Sequence, residues 1–445
     1  MEKFMERMRA FLNGSRASVL YTVLACLTVS LSVENYAIPL FILWILFALV
    51  VDKSFLNVFL PVTLLCGFAI RTSGQSTYLL NHLWLAVPVV IVIFIHFLLY
   101  GKRRRLRFLW QHLAVSAALL LGGVFRISAA DYFKPDALYY VFFLGIGMLF
   151  FYLWFRNGVC SSEYYDVGEK LMECFLLLGA FCAYSILDEA LRLFIVTGSP
   201  FGAYVWSNDI CELMLFCIPA AFYHARKRYI YLFVGVAFYA VMLFTQSYSA
   251  LLAGGVLLVL GFVYLLKYRV SLRLPTVGLL ALLCLSALSV LLYLSGEHGG
   301  FFALLAAEEN GRMDLIENAW QSFLSAPLFG VGVGAPGTVD TTFMTVNWTH
   351  NIVLQVLGSL GLFGALAYGY QLFSRVKTVL LHPDPFRLAA GLSYLGLFLI
   401  SLFQPGEFCP MPYAMMAVMI FSVLEAMDEE EQVKTKNDEK TNVSS

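Results

Sequence analysis

Apolar residues along this chain come in long unbroken runs, without the two-residue alternation of a half-buried strand. The runs fall at about 17–33, 36–51, 55–70, 79–100, 108–125, 136–155, 167–187, 205–223, 229–244, 249–266, 275–294, 350–373, 386–403 and 411–426. Roughly 20 apolar residues carry a helix across the hydrocarbon of a bilayer, and most runs approach that length. The pattern predicts an all-α polytopic integral membrane protein with fourteen spans, or twelve if two of the early runs are re-entrant. Polar stretches between runs are short except for one, at 295–348. The predicted organisation is a cytoplasmic N-terminus at 1–16, helices 1–11 over 17–294, an extracytoplasmic loop at 295–348 and helices 12–14 over 349–427. A disordered cytoplasmic tail follows at 428–445, polar and mixed in charge.

Composition strengthens this reading and removes others. Of the 445 residues, 60% are hydrophobic and 13% charged, a balance that leaves too little polar surface for a soluble domain. The net charge is zero, but the positions of the charges say more. With the N-terminus inside, 24 of the 29 lysines and arginines fall at cytoplasmic ends, among them "KRRRLR" (102–107), "RKR" (226–228), Arg375 and Arg387. Arg71, Arg126, Lys134, Arg192 and Arg312 are left outside. Cytoplasmic segments retain basic residues, so both termini are expected inside. The basic N-terminus "MEKFMERMRAFLNGSR" lacks a small-residue cleavage site and reads as a retained segment. Basic residues in short clusters between spans give no footprint for nucleic acid. Nine cysteines, mostly within apolar runs and without a CxxC, read as small buried hydrophobes.

Candidate chemistry concentrates on the long loop and the span it opens. Asn310 is placed to cap a helix on which Met313, Ile316, Trp320 and Phe323 recur at helical spacing. This predicts a short amphipathic helix on the outer membrane surface, ended by Pro327 and the glycine-shaped turn "GVGVGAPG". Arg312 begins that helix, and an always-charged forked donor suits phosphate oxygens. His350 stands at the mouth of the next span, where an imidazole can serve as a general base near neutral pH. Glycines at 358, 361 and 364 suit close approach of another helix. Asp209 and Glu212 are costly in lipid and must face the interior, either shaping a polar cavity or pairing with Arg192. Asp188 and Arg192, four apart, can also pair with each other. No carboxylate pair suited to a metal and a nucleotide sugar occurs, nor a phosphate-binding glycine loop or a nucleophile elbow. The expectation is an enzyme working outside, with no metal and no cofactor.

These residues resemble the bacterial O-antigen ligase and O-antigen polymerase family. The resemblance rests on Arg312, Trp320, Pro327 and "GVGVG" (330–334), then His350 with Asn351, and Gly361 eleven residues after the histidine. It covers about 310–372, with a weaker echo at "TQSYSALLAGG" (245–255), where Tyr248 stands in place of the family's arginine after serine. The resemblance implies glycosyl transfer, at the outer face of a bacterial cytoplasmic membrane, from an undecaprenyl-diphosphate-linked glycan. The acceptor would be a second lipid-linked glycan or a lipid-anchored surface molecule, with polysaccharide-assembly proteins as partners. His350 and Arg312 would be catalytic, and Arg192, Arg126, Asn351, Tyr248 and Asp209 would bind substrate. A transporter or flippase for lipid-linked sugars also needs many spans and outward arginines. It would spread polar residues through a central cavity and repeated halves, whereas here they gather on one loop. A non-enzymatic member of an envelope-assembly complex would tolerate loss of His350.

Overall fold

The computed structural model describes residues 2–52, 56–71, 86–124, 141–158, 166–202, 206–269, 277, 312–333, 349–381, 383–404 and 406–444. In chain order the helices are α1 (Glu2–Asn13), α2 (Ser15–Ser30), α3 (Glu34–Val51), α4 (Leu56–Arg71), α5 (Ala86–Tyr100), α6 (Leu109–Ala118) and α7 (Met148–Gly158). They continue with α8 (Val167–Thr197), α9 (Ser207–Ala225), α10 (Ile230–Met242), α11 (Tyr248–Tyr268), α12 (Arg312–Ser325), α13 (Ile352–Leu381), α14 (Pro385–Ser401) and α15 (Met415–Ser444). Among the described residues there is no strand. The protein is an all-α polytopic membrane protein. Thirteen of the fourteen predicted runs coincide with one of these helices; the run at 275–294 lies outside the described residues apart from Val277.

Five described helices are long and apolar enough to cross a membrane alone, and α1 with α2, bent by 62°, makes up to six. The other apolar helices are shorter, 10–17 residues. Local signals set their ends. Asp166 caps α8 by accepting from the Glu169 N–H at 2.8 Å, and Asp384 caps α14 by accepting from Phe386 and Arg387, with Pro385 in the first turn. The core centres on α9, whose residues are buried nearly throughout and which packs on α8, α10, α11 and α14.

Charged residues gather at the helix ends. Around the start of α14, Arg107 pairs with Asp428 at 2.7 Å, Arg156 with Glu429 at 2.6 Å, and Arg387 with both Asp384 and Asp428. Gly168, at the start of α8, lies against Phe386 of this end. Arg192, on the same helix, stands about 36 Å further along at 1.5 Å per residue. There Arg192 bonds Asp188 at 2.8 Å, and Arg71 meets Glu34 at 3.3 Å and Glu189 at 3.6 Å.

Two expectations are corrected. Arg375, assigned to a cytoplasmic loop, is 2% exposed, because α13 runs on to Leu381 and holds it inside the bundle. The tail after Met427, expected to be disordered, continues α15 to Ser444. Its first turn is held by the arginines on Asp428 and Glu429, which secures the helix where propensity alone would let it fray. On α12, Ala319 is buried, while Trp320 is 45% exposed with its ring against Phe323.

Candidate functional site

The mouth of α13 is built from its own cap. Asn351 Oδ1 accepts from the N–H groups of Val353 and Leu354 at 3.0 and 3.1 Å, so the amide is the N-cap and the helix proper starts at Ile352. His350 therefore sits just before the helix, in a left-handed conformation with φ 49°. That conformation costs a non-glycine residue on the order of 1 kcal/mol or more, and such strain collects at functional sites. Neighbouring bonds hold it there: the Thr349 N–H donates to Gln355 Oε1 at 2.9 Å, the Thr349 hydroxyl donates to the Asn351 carbonyl at 2.9 Å, and Gln355 Nε2 donates to Ser359 Oγ at 3.0 Å.

The loop after α14 meets this mouth. Asn351 Nδ2 donates to the Leu402 carbonyl at 3.1 Å, and His350 Nδ1 lies 2.9 Å from Gln404 Oε1. An amide oxygen can only accept, so Nδ1 donates in this pair, and in the neutral ring the lone pair would then sit on Nε2. Gln404 is 4% exposed, and its Nε2 has no partner among the described residues. Further along the same segment, Glu407 accepts from Tyr394 at 2.9 Å and pairs with Arg375. Tyr413 then donates to the Asp209 carbonyl at 2.9 Å. Residues 402–413 thus tie the start of α13, its interior and the start of α9 into one unit.

A second interlock binds α12 to α13. At Gly361 the backbone leaves the helix with φ 64° and ψ −160°. The bonds lost there are replaced by the turn after α12. Leu362 and Phe363 donate to the carbonyls of Pro327 and Leu328 at 2.8 and 3.1 Å, while Val331 and Gly332 donate to the carbonyls of Gly358 and Ser359 at 2.9 and 2.8 Å. A Cβ on Gly361 would lie 2.6 Å from the Leu328 carbonyl, and one on Gly330 would lie 2.3 Å from the Leu360 nitrogen. The glycine stripe expected to receive a helix does so at Gly358, which faces Ala319 of α12. At Gly361 it receives a loop backbone instead.

The other candidates fall into separate places. Tyr248 opens α11, beside Ser247, whose hydroxyl donates to Asn208 Oδ1 at 2.6 Å; Asp209 follows on α9. These residues join the His350 mouth through Tyr413. Glu212, one turn further on, is 1% exposed with neither carboxyl oxygen partnered among the described residues, and Arg192 does not reach it. Arg192 is 43% exposed and spends its guanidinium on Asp188 and the carbonyls of Val29 and Ser30, at the end of α2. Arg126 and Asn310 lie outside the described residues. Arg312 is the first residue of α12. Sequence reasoning missed Gln404 and Glu407. Their signal was the polar "QPGE" (404–407) between two apolar runs, a cost in lipid that calls for a buried partner.

An all-α membrane bundle whose imidazole is oriented by a buried amide, beside a backbone interlock, defines a multi-pass membrane protein with an enzyme-like site. Residues 214–369 match the family model described as O-antigen ligase. That segment, which holds Tyr248, Arg312, His350, Asn351 and Gly361, is similar to the O-antigen ligase family. The match supports a membrane glycosyltransferase-like role in polysaccharide assembly and a location in the inner membrane. Neither the curated proteins nor the solved structures gave a match.

Proposed function

We propose that this protein transfers a glycan from an undecaprenyl-diphosphate-linked donor to an acceptor hydroxyl at the outer face of the membrane, with His350 as general base. The carrying observation is the His350–Gln404 pair at the mouth of α13, inside the matched segment. The acceptor oxygen attacks the anomeric carbon as its proton passes to His350 Nε2. The bond from that carbon to the diphosphate breaks, and its electron pair leaves with the diphosphate. A direct displacement of this kind inverts the anomeric centre. The acceptor is a second lipid-linked glycan or a lipid-anchored molecule.

Arg312 is the residue proposed to meet the departing diphosphate, whose charge grows in the transition state. Contact register supports this. Ala319 of α12 lies on Gly358 of α13, and the Pro327 carbonyl, two residues past the end of α12, accepts from the Leu362 N–H. Arg312 is seven residues before Ala319, and Asn351 is seven before Gly358. Each lies about 10 Å back along its own helix from that contact, and on this register Arg312 is proposed to approach the mouth of α13. Arg192 is engaged with Asp188 and the end of α2, so the proposed diphosphate contact is assigned to Arg312. Gln404 Nε2, which has no partner among the described residues, would donate to a substrate oxygen.

The test is transfer between lipid-linked donor and acceptor by purified protein. His350→Ala should lower the rate by about 10²–10⁴, the usual contribution of a general base, with unchanged insertion and donor binding. Transfer should persist in chelator. Full activity of His350→Ala would overturn the catalytic reading, and loss on chelation would overturn the metal-free one.

A further inference from the structure

A groove of about 620 Å³ opens at the far end of the bundle from His350, between the end of α5 and the start of α6. Its apolar wall is Phe97, Leu98, Leu106 and Leu109, and its polar rim is Lys102, Arg103, Arg104 and Asn157. The rim is held in shape by backbone bonds. Lys102 N–H donates to the Asn157 carbonyl at 2.9 Å, and Arg104 N–H donates to Asn157 Oδ1 at 3.1 Å. The site is therefore built by a folded turn.

Charge decides what fits it. Arg104 and Arg107 already face Glu429 and Asp428. Lys102, Arg103 and Arg105 have no carboxylate partner among the described residues, and all three are exposed. Next to them α5 presents Leu98 and Leu99, 66% and 68% exposed, to the surrounding lipid. Lys102 and Arg103 at the rim, with Arg105 beside them on the same turn, and a wall that continues into exposed apolar surface match one chemistry: a phosphate headgroup with its chains attached. We propose that the Lys102–Leu109 turn is a binding site for an anionic phospholipid of the leaflet at this end of the bundle.

The test uses the full-length protein in nanodiscs of phosphatidylcholine doped with photo-cross-linkable phosphatidylglycerol, with the cross-linked peptides mapped by mass spectrometry. The wild-type protein should concentrate cross-links on residues 97–109. Phosphatidylcholine carrying the same photo-group should not, and soluble inorganic phosphate should not compete. Each basic residue near the surface is worth about 1 kcal/mol toward anionic lipid, so Lys102→Gln with Arg103→Gln and Arg105→Gln should weaken labelling about 10²-fold. Arg228→Gln with Lys267→Gln, basic positions elsewhere, should leave it unchanged. Equal labelling by the zwitterionic lipid, competition by free phosphate, or labelling unaffected by the triple substitution would each overturn the proposal. The wild-type lipid comparison stands even if the triple variant inserts poorly.

Discussion

The interlock at Gly361 can be broken with a single methyl group. Gly361→Ala forces a Cβ into a region of backbone space essentially reserved for glycine, at φ 64° and ψ −160°. Conformational strain of that kind costs about 1–3 kcal/mol. The new carbon would also lie 2.6 Å from the Leu328 carbonyl and 2.7 Å from the Gly330 nitrogen, both backbone atoms that no rotamer change can remove. Relief requires the 327–332 turn to withdraw, which breaks the four cross-bonds at Leu362, Phe363, Val331 and Gly332. At about 1 kcal/mol net for each, the total reaches roughly 5–7 kcal/mol.

Thermal unfolding in detergent should read this as a fall in midpoint of about 10 °C. Transfer should be lost even with His350 present, because α12 and Arg312 would no longer be registered against α13. Gly369→Ala is the matched control. It lies in the same helix with nothing within 4 Å of an added Cβ, and should be neutral or stabilising by up to about 1 kcal/mol. A Gly361→Ala protein as stable and active as Gly369→Ala would refute the interlock as the element that holds the site.

The other predictions address the mouth, the buried pair and the orientation. Gln404→Met removes the oxygen that fixes the His350 tautomer and should lower transfer about 10–100-fold while leaving the unfolding midpoint within a few degrees; an unchanged rate would mean the imidazole needs no orienting partner. Glu407→Ala strands Arg375 in the bundle and should cost about 3–5 kcal/mol, whereas Arg375→Met with Glu407→Leu should recover much of that; equal damage from the double variant would contradict the ion-pair account. Arg312→Lys keeps the charge but loses the planar fork and should lose most activity, while Arg192→Lys should stay near wild type; equal loss at both would return Arg192 to the site. In a background without native cysteines, Thr338→Cys should label with an impermeant thiol reagent from outside and Lys102→Cys should not; the reverse would place the mouth of α13 on the wrong face for a lipid-linked donor.

What the sequence displayed and what it hid divide along a physical line. A transmembrane helix satisfies its own backbone, so the apolar runs revealed nearly every helix from local composition alone. His350, Asn351 and Gly361 were legible because their spacing is local. The roles were not. Asn351 looked like a ligand and is a cap, because a cap is defined by which N–H groups lie two and three residues on. Gly361 looked like a helix-packing glycine and is a break, because its partner, the Leu328 carbonyl, is 33 residues away. Gln404 and Glu407 were passed over for the same reason: their meaning depends on His350 and Arg375, on another helix. Arg375 was the sharpest loss. Counting positive charge by side works on average because most lysines and arginines are solvated. It fails where a long helix carries one inward to a carboxylate, and only the folded chain shows which arginine that is. Arg375 and Arg192 are both bound to other groups of the protein. On the proposed reading the diphosphate is met instead by Arg312, the first residue of the helix that the interlock holds against α13.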